Sequence, residues 1–97
     1  MLPVKLRTII EEDRFVQEFN RLLHNNEEGK EKALKFLDAA KWLLARSPQQ
    51  GTRIGRSHVW FLPIRQMGIL PVVLYYTFDH DFVNFLSIEE TLYPPPE

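Results

Sequence analysis

The stretch Pro71-Val72-Val73-Leu74-Tyr75-Tyr76-Thr77-Phe78-Asp79-His80-Asp81-Phe82-Val83-Asn84-Phe85-Leu86-Ser87-Ile88 decides the fold class. Two apolar, β-branched and aromatic runs flank three polar residues, a connection short enough for a β-hairpin. Strands are expected over 70–78 and 82–88. Asp79 and Asp81 suit the turn, because a short carboxylate can accept hydrogen bonds from backbone amides two or three residues on. In the first run Val72, Leu74, Tyr76 and Phe78 fall on one side of the pleat, and Val73, Tyr75 and Thr77 on the other. Both faces are apolar, so each needs a cover or a partner.

Working back toward the N-terminus, 57–65 reads as a third strand joined through Gln66-Met67-Gly68-Ile69, which makes the C-terminal half a meander. Residues 27–46 read as a helix whose stripe is Leu34, Leu37, Ala40 and Leu44, flanked by Ala33, Phe36 and Leu43 and closed by Pro48 soon after Ser47. Trp42 falls with Lys35 and Asp38 on the opposite side, at the rim or outside. Phe15, Phe19, Leu22 and Leu23 stand at i, i+4, i+7 and i+8, predicting an earlier helix over 11–25 with Glu11, Glu12 and Asp13 at its N-terminus. Val4 to Ile10 alternates with a period near two, the signature of a short opening strand that pairs with the later sheet. The expected fold is therefore α+β: an N-terminal strand and two helices packed on an antiparallel sheet, in one domain over 1–93. The tail Pro94-Pro95-Pro96-Glu97 is expected to fray.

Composition narrows the function classes. The 97 residues carry 12 Lys+Arg against 13 Asp+Glu, so the overall balance gives no steering toward nucleic acid or anionic membrane. The absence of cysteine removes disulfides, thiolate nucleophiles and thiolate-ligated metals. No run approaches the roughly 20 apolar residues that span a bilayer, and a soluble, cytoplasmic protein without membrane partners is expected. His24, His58 and His80 sit in separate elements at no metal-ligand spacing, and no cofactor motif is present.

Charge is nevertheless uneven. Between Asp38 and Asp79 there is no acid, while Lys41, Arg46, Arg53, Arg56 and Arg65 all fall there with His58. Arg53, Arg56, His58 and Arg65 flank or lie on the first strand of the meander. Such residues serve either as a solvated basic edge that discourages edge-to-edge pairing or as a phosphate-binding patch. Residues 56 and 58 share a face, and 65 joins them only if a bulge shifts the register, a break that Pro63 would favour. The apolar surfaces left over, Trp42 on the second helix and the Tyr75 face of the sheet, are candidate partner-binding sites.

The order of elements, with Leu43-Leu44-Ala45-Arg46-Ser47-Pro48-Gln49-Gln50-Gly51 leading into the Arg-bearing strand 56–65, then Leu70 to Tyr76, then Phe82 to Ile88, resembles the RelE/ParE superfamily. These are the toxins of bacterial type II toxin-antitoxin systems. The resemblance implies a cognate antitoxin as partner and a target reached through the concave sheet face. Members similar to RelE cut mRNA on the ribosome without metal. For that reading it implies Arg56, Arg65 and Tyr93 as the catalytic groups and Arg46, Arg53 and His58 as RNA contacts. Members similar to ParE inhibit DNA gyrase by binding, so a non-catalytic toxin or a diverged protein-binding module is the alternative. The chain departs from the family at Pro71-Val72-Val73-Leu74, where an Arg usually stands beside the Tyr. It departs again at Ile88-Glu89-Glu90-Thr91-Leu92-Tyr93, where carboxylates replace cations.

Overall fold

The computed structural model describes residues 6–25, 27–65 and 71–90. Tyr93, the connection 66–69 and the Pro-rich tail lie outside these residues.

Alternation near the N-terminus yields strand β1, Thr8–Glu11, and the amphipathic segment after it yields helix α1, Asp13–Asn25. The helix begins two residues later than its acids suggest because Glu11 belongs to β1 and the amide of Glu12 donates to Phe85 O at 3.0 Å. Helix α2 spans Lys30–Arg46 and is preceded by a single 3-10 turn, Glu27–Gly29, where a longer helix was expected. Gly29, a poor helix former, sits at the junction. At the other end the Ser47 amide donates to Leu43 O at 2.8 Å, and Pro48–Gln50 forms a second 3-10 turn.

The remaining strands are β2 (Thr52–Arg53), β3 (Trp60–Ile64), β4 (Val72–Phe78) and β5 (Phe82–Glu90), in the sheet order β1-β5-β4-β3-β2. Two features correct the sequence reading. The sheet is mixed, since β1 runs parallel to β5 with Ile9 opposite Val83, while every other pairing is antiparallel. Side-chain alternation marks a strand but carries no information about the direction of its neighbour. The expected strand 57–65 is also shorter at its start, because Ile54–Val59 forms a tight connection between β2 and β3. There Gly55 takes φ +52, the Ser57 amide donates to Ile54 O, and the Ile54 amide donates to Val59 O at 2.8 Å. A two-residue strand such as β2 is too short to show periodicity.

That last bond fixes how β3 uses Pro63. Val59 aims its backbone groups at β2, so Phe61 and Pro63 do likewise. Pairing with β2 ends at Phe61 opposite Thr52, which leaves Pro63 aimed at an open edge, where its missing N–H costs no ladder bond. Its pairing with β4 is continuous from Trp60–Tyr76 to Ile64–Val72, so the break expected at Pro63 does not occur.

The irregularity lies instead in β5. Tyr75 pairs with Ser87 and Tyr76 with Phe85, leaving Leu86 as the extra residue of a β-bulge. The core series on β5 therefore runs Val83, Phe85, Ile88. At the bulge β1 ends and α1 takes over: the Ile88 amide donates to Glu18 Oε1 at 3.3 Å, supplying the partner that β1 no longer provides. Arg14, 3.6 Å from Glu18 and 3.5 Å from Glu89, ties the same corner.

One core lies between the helices and the sheet, formed by Phe15, Phe19, Leu37, Leu44, Leu74, Tyr76, Phe85 and their neighbours. Phe15 is fully buried, 5.8 Å from the Phe19 ring and 5.3 Å edge-on to Phe85. Fully burying one such ring stabilises the fold by about 1.5–3 kcal/mol, and this cluster fastens α1 to β5.

Candidate functional site

The β4–β5 turn forms as its residues dictate. Asp79 Oδ1 accepts from the amides of Asp81 and Phe82, both at 2.8 Å. Its carbonyl accepts from Arg7 Nε at 2.8 Å, and the Arg7 guanidinium lies 5.8 Å above the Phe78 ring.

The basic residues are distributed over two separate places. Arg56 and His58 are exposed in the Ile54–Val59 connection at one end of β3, and Arg65 is exposed just past the other end. Val59 and Arg65 are six steps apart along extended chain, roughly 20 Å. Arg56 and Arg65 are thus not brought together, and no bulge turns one toward the other. Neither makes an ion pair among the described residues. Arg53 is engaged locally: its Nε donates to Ser57 O at 2.8 Å and its Nη2 to Arg56 O at 3.0 Å. It holds the connection in shape and thereby presents Arg56 and His58. Arg46 is exposed at the end of α2.

On the sheet face turned away from the helices, register places Thr8, Ile10, Phe82, Asn84, Thr77, Tyr75, Ser87, Glu89, Val73, Phe61 and Pro63. Phe61 and Val73 are buried there, whereas Ile10 and Phe82 are about 40% exposed, so the accessible apolar part lies on the β1–β5 side. Tyr75 is half-buried; burial and then the neighbouring Glu89 carboxylate raise its pKa. Asn84 Nδ2 donates to Thr77 Oγ1 at 3.4 Å. The Ser87 hydroxyl is buried without a hydrogen-bond partner. None of these strand positions carries a Lys or Arg.

Tyr76, adjacent to Tyr75 but facing the core, is fully buried and does structural work that the sequence leaves undecided between the two tyrosines. Its hydroxyl donates to Pro48 O at 2.6 Å and accepts from the Gly51 amide at 3.0 Å. Burial pushes its pKa up to about 12, and the Gly51 bond offsets a little of that rise. Gly51 is required by space: a β-carbon there would overlap the Tyr76 hydroxyl and the Phe61 carbonyl.

Sequence reasoning missed a groove between α2 and β3. It has a volume of about 610 Å³ and is lined by Phe36, Ala39, Leu43, Leu62, Ile64 and Arg65, with Gln50 and Gly51 at one side. The signal was present in Phe36 and Leu43, apolar residues off the main helix stripe, and in the unbroken run Trp60 to Ile64. Trp42 is 63% exposed on the outer side of α2, away from this groove.

Among the described residues no group of His, Asp or Glu is placed to hold a metal ion, and no helix is long and apolar enough to cross a membrane. Comparison with protein-family models, curated proteins and solved structures gives no match.

Proposed function

We infer that this chain is a RelE/ParE-like growth-inhibiting toxin that acts by binding a protein target through the helix-free sheet face, without cleaving RNA. The observation that carries this reading is that no strand position of that face bears a Lys or Arg. Ribonuclease chemistry without a metal needs cations beside the scissile phosphate, to stabilise charge as it develops. Here the Tyr75 hydroxyl has the carboxylate of Glu89 as its charged neighbour, and the strand positions around it are apolar or neutral. A carboxylate repels phosphate. Thr8, Ile10, Phe82, Asn84 and Thr77 form the mixed apolar and hydrogen-bonding surface typical of a protein interface.

The RelE-like alternative, mRNA cleavage on the ribosome, rests on a specific observation of its own: Arg56, His58 and Arg65 are exposed and free of ion pairs among the described residues. Growth of bacteria expressing the chain alone, with primer-extension mapping of mRNA ends, separates the two. Binding predicts growth arrest without new mRNA ends. It also predicts that arrest is relieved by Phe82→Asp and Ile10→Asp and unaffected by Arg56→Ala with Arg65→Ala. Codon-phased mRNA cuts that vanish in the double Ala variant would establish the ribonuclease instead. A neutralising antitoxin belongs to either reading.

A further inference from the structure

The groove between α2 and β3 lies on the helix side of the sheet, so its role is independent of the reading above. Its lining is mixed. Phe36 and Leu43 from α2 and Leu62 and Ile64 from β3 are apolar, while Gln50, Gly51 and Thr52 present polar side-chain or backbone surface. At about 610 Å³ the space falls within the range of about 300–1,000 Å³ in which proteins hold small molecules, against mostly apolar walls with a few polar groups.

The two ends of the groove differ. Gln50 and Gly51 belong to the segment that leaves α2 and enters β2, so the chain crosses there from the helix layer to the sheet. Continuing the β2–β3 register past the Thr52–Phe61 pair sets Gly51 beside Leu62. The Tyr76 hydroxyl holds this crossing down through Pro48 O and the Gly51 amide. One end is therefore walled by backbone. Arg65 lines the groove three residues beyond Leu62, about 10 Å from that wall along the strand direction.

Charge in the groove has one sign. Arg65 is exposed and has no ion pair among the described residues, and no residue of the lining is acidic. The acids of α2, Glu31 and Asp38, fall about 130° and 150° round the helix from the direction that Phe36, Ala39, Ala40 and Leu43 share. On the sheet the acid nearest in register is Glu90, two strands across from Ile64, roughly 10 Å. A guanidinium offers paired N–H donors whose geometry matches a carboxylate, and a cation in the same place would be repelled. The apolar walls and the closed end leave the rest of such a ligand a place out of water.

We propose that this groove is a binding site for a small amphiphilic carboxylate, with its apolar body between α2 and β3 and its carboxylate on Arg65 at the open end. Decanoate and decanol are the probes, since they share a chain and differ in charge, and decylammonium reverses the charge. Each is titrated, below the concentration at which it forms micelles, into the full chain carrying ¹³C-labelled Leu and Ile methyls, and NMR shifts report where it binds. Decanoate is expected to shift the Leu43, Leu62 and Ile64 methyls saturably and to leave Ile10, on the opposite sheet face, unmoved. It should bind at least tenfold more tightly than decanol. Arg65→Gln should abolish that preference while decanol binding stays as it was. Arg65→Glu should reverse it in favour of decylammonium, a result that a variant that merely failed to fold would not give. The proposal is overturned if decanoate gives no saturable shift, if it binds no more tightly than decanol, or if its preference survives Arg65→Gln. Equal shifts at Ile10 and at the groove methyls would also overturn it, as adsorption without a site.

Discussion

Replacing Tyr76 by Phe removes one oxygen atom and leaves the ring in place, so it isolates what the hydroxyl does. In the native fold that oxygen bridges Pro48 O at 2.6 Å and the Gly51 amide at 3.0 Å, pinning the segment between α2 and β2 to the centre of the sheet. The variant leaves an acceptor and a donor without their partner in a region where Pro48 is buried and Gly51 half-buried. Leaving a buried polar group unsatisfied costs about 1–3 kcal/mol. The half-buried Gly51 recovers part of that through water, so the expected loss is about 2 kcal/mol. With an m-value of about 2 kcal/mol per molar for a small domain in urea, the unfolding midpoint should fall by about 1 M with m unchanged. The companion Tyr75→Phe, on a half-buried residue of the other face, should cost less than about 0.5 kcal/mol. A Tyr76→Phe midpoint within about 0.2 M of the wild type in urea titrations would refute the reasoning, since the bridge would then add nothing beyond the ring.

Other expectations follow from the same geometry. In alkaline solution the unfolded Tyr76 phenol ionises near its ordinary value of 10, whereas the folded one holds its proton to about 12. Because the folded value is the higher, stability is fully present below pH 10 and is lost as pH rises toward 12. Urea midpoints at pH 9, 10 and 11 should decline only above 10 in the wild type and lose the Tyr76 contribution to this slope in Tyr76→Phe. Arg53→Ala removes the two guanidinium bonds to Arg56 O and Ser57 O, so limited trypsin digestion should cut after Arg56 at least several-fold faster with the global unfolding midpoint nearly unchanged. An unchanged cleavage rate would show that Gly55 and the Ser57 bonds suffice to order the turn.

The sequence by itself determined most of the element types. Phe15, Phe19, Leu22 and Leu23 are buried where their spacing put them, because a helix that must hide four large side chains has only one face on which to do so. The Asp79 turn formed because its chemistry is local: the carboxylate reaches amides two and three residues away, and no distant partner is needed. Trp42 stayed outside for the same reason of helical geometry. What only the tertiary structure decided depends on neighbours far along the chain. The parallel partnership of β1 with β5 joins residues more than 70 positions apart, and alternation in either strand is blind to it. The bulge at Leu86 marks the place where β1 gives way to Glu18, a handover set by the packing of α1 on β5. The separation of Arg56 from Arg65 follows from an unbroken β3, although their nearness in sequence invited a shared patch. The choice of Tyr76 over Tyr75 as the buried bridge, and the groove beside Leu43, both arise from where the chain after α2 crosses the sheet. That crossing is a property of three elements meeting, and no window of sequence contains all three.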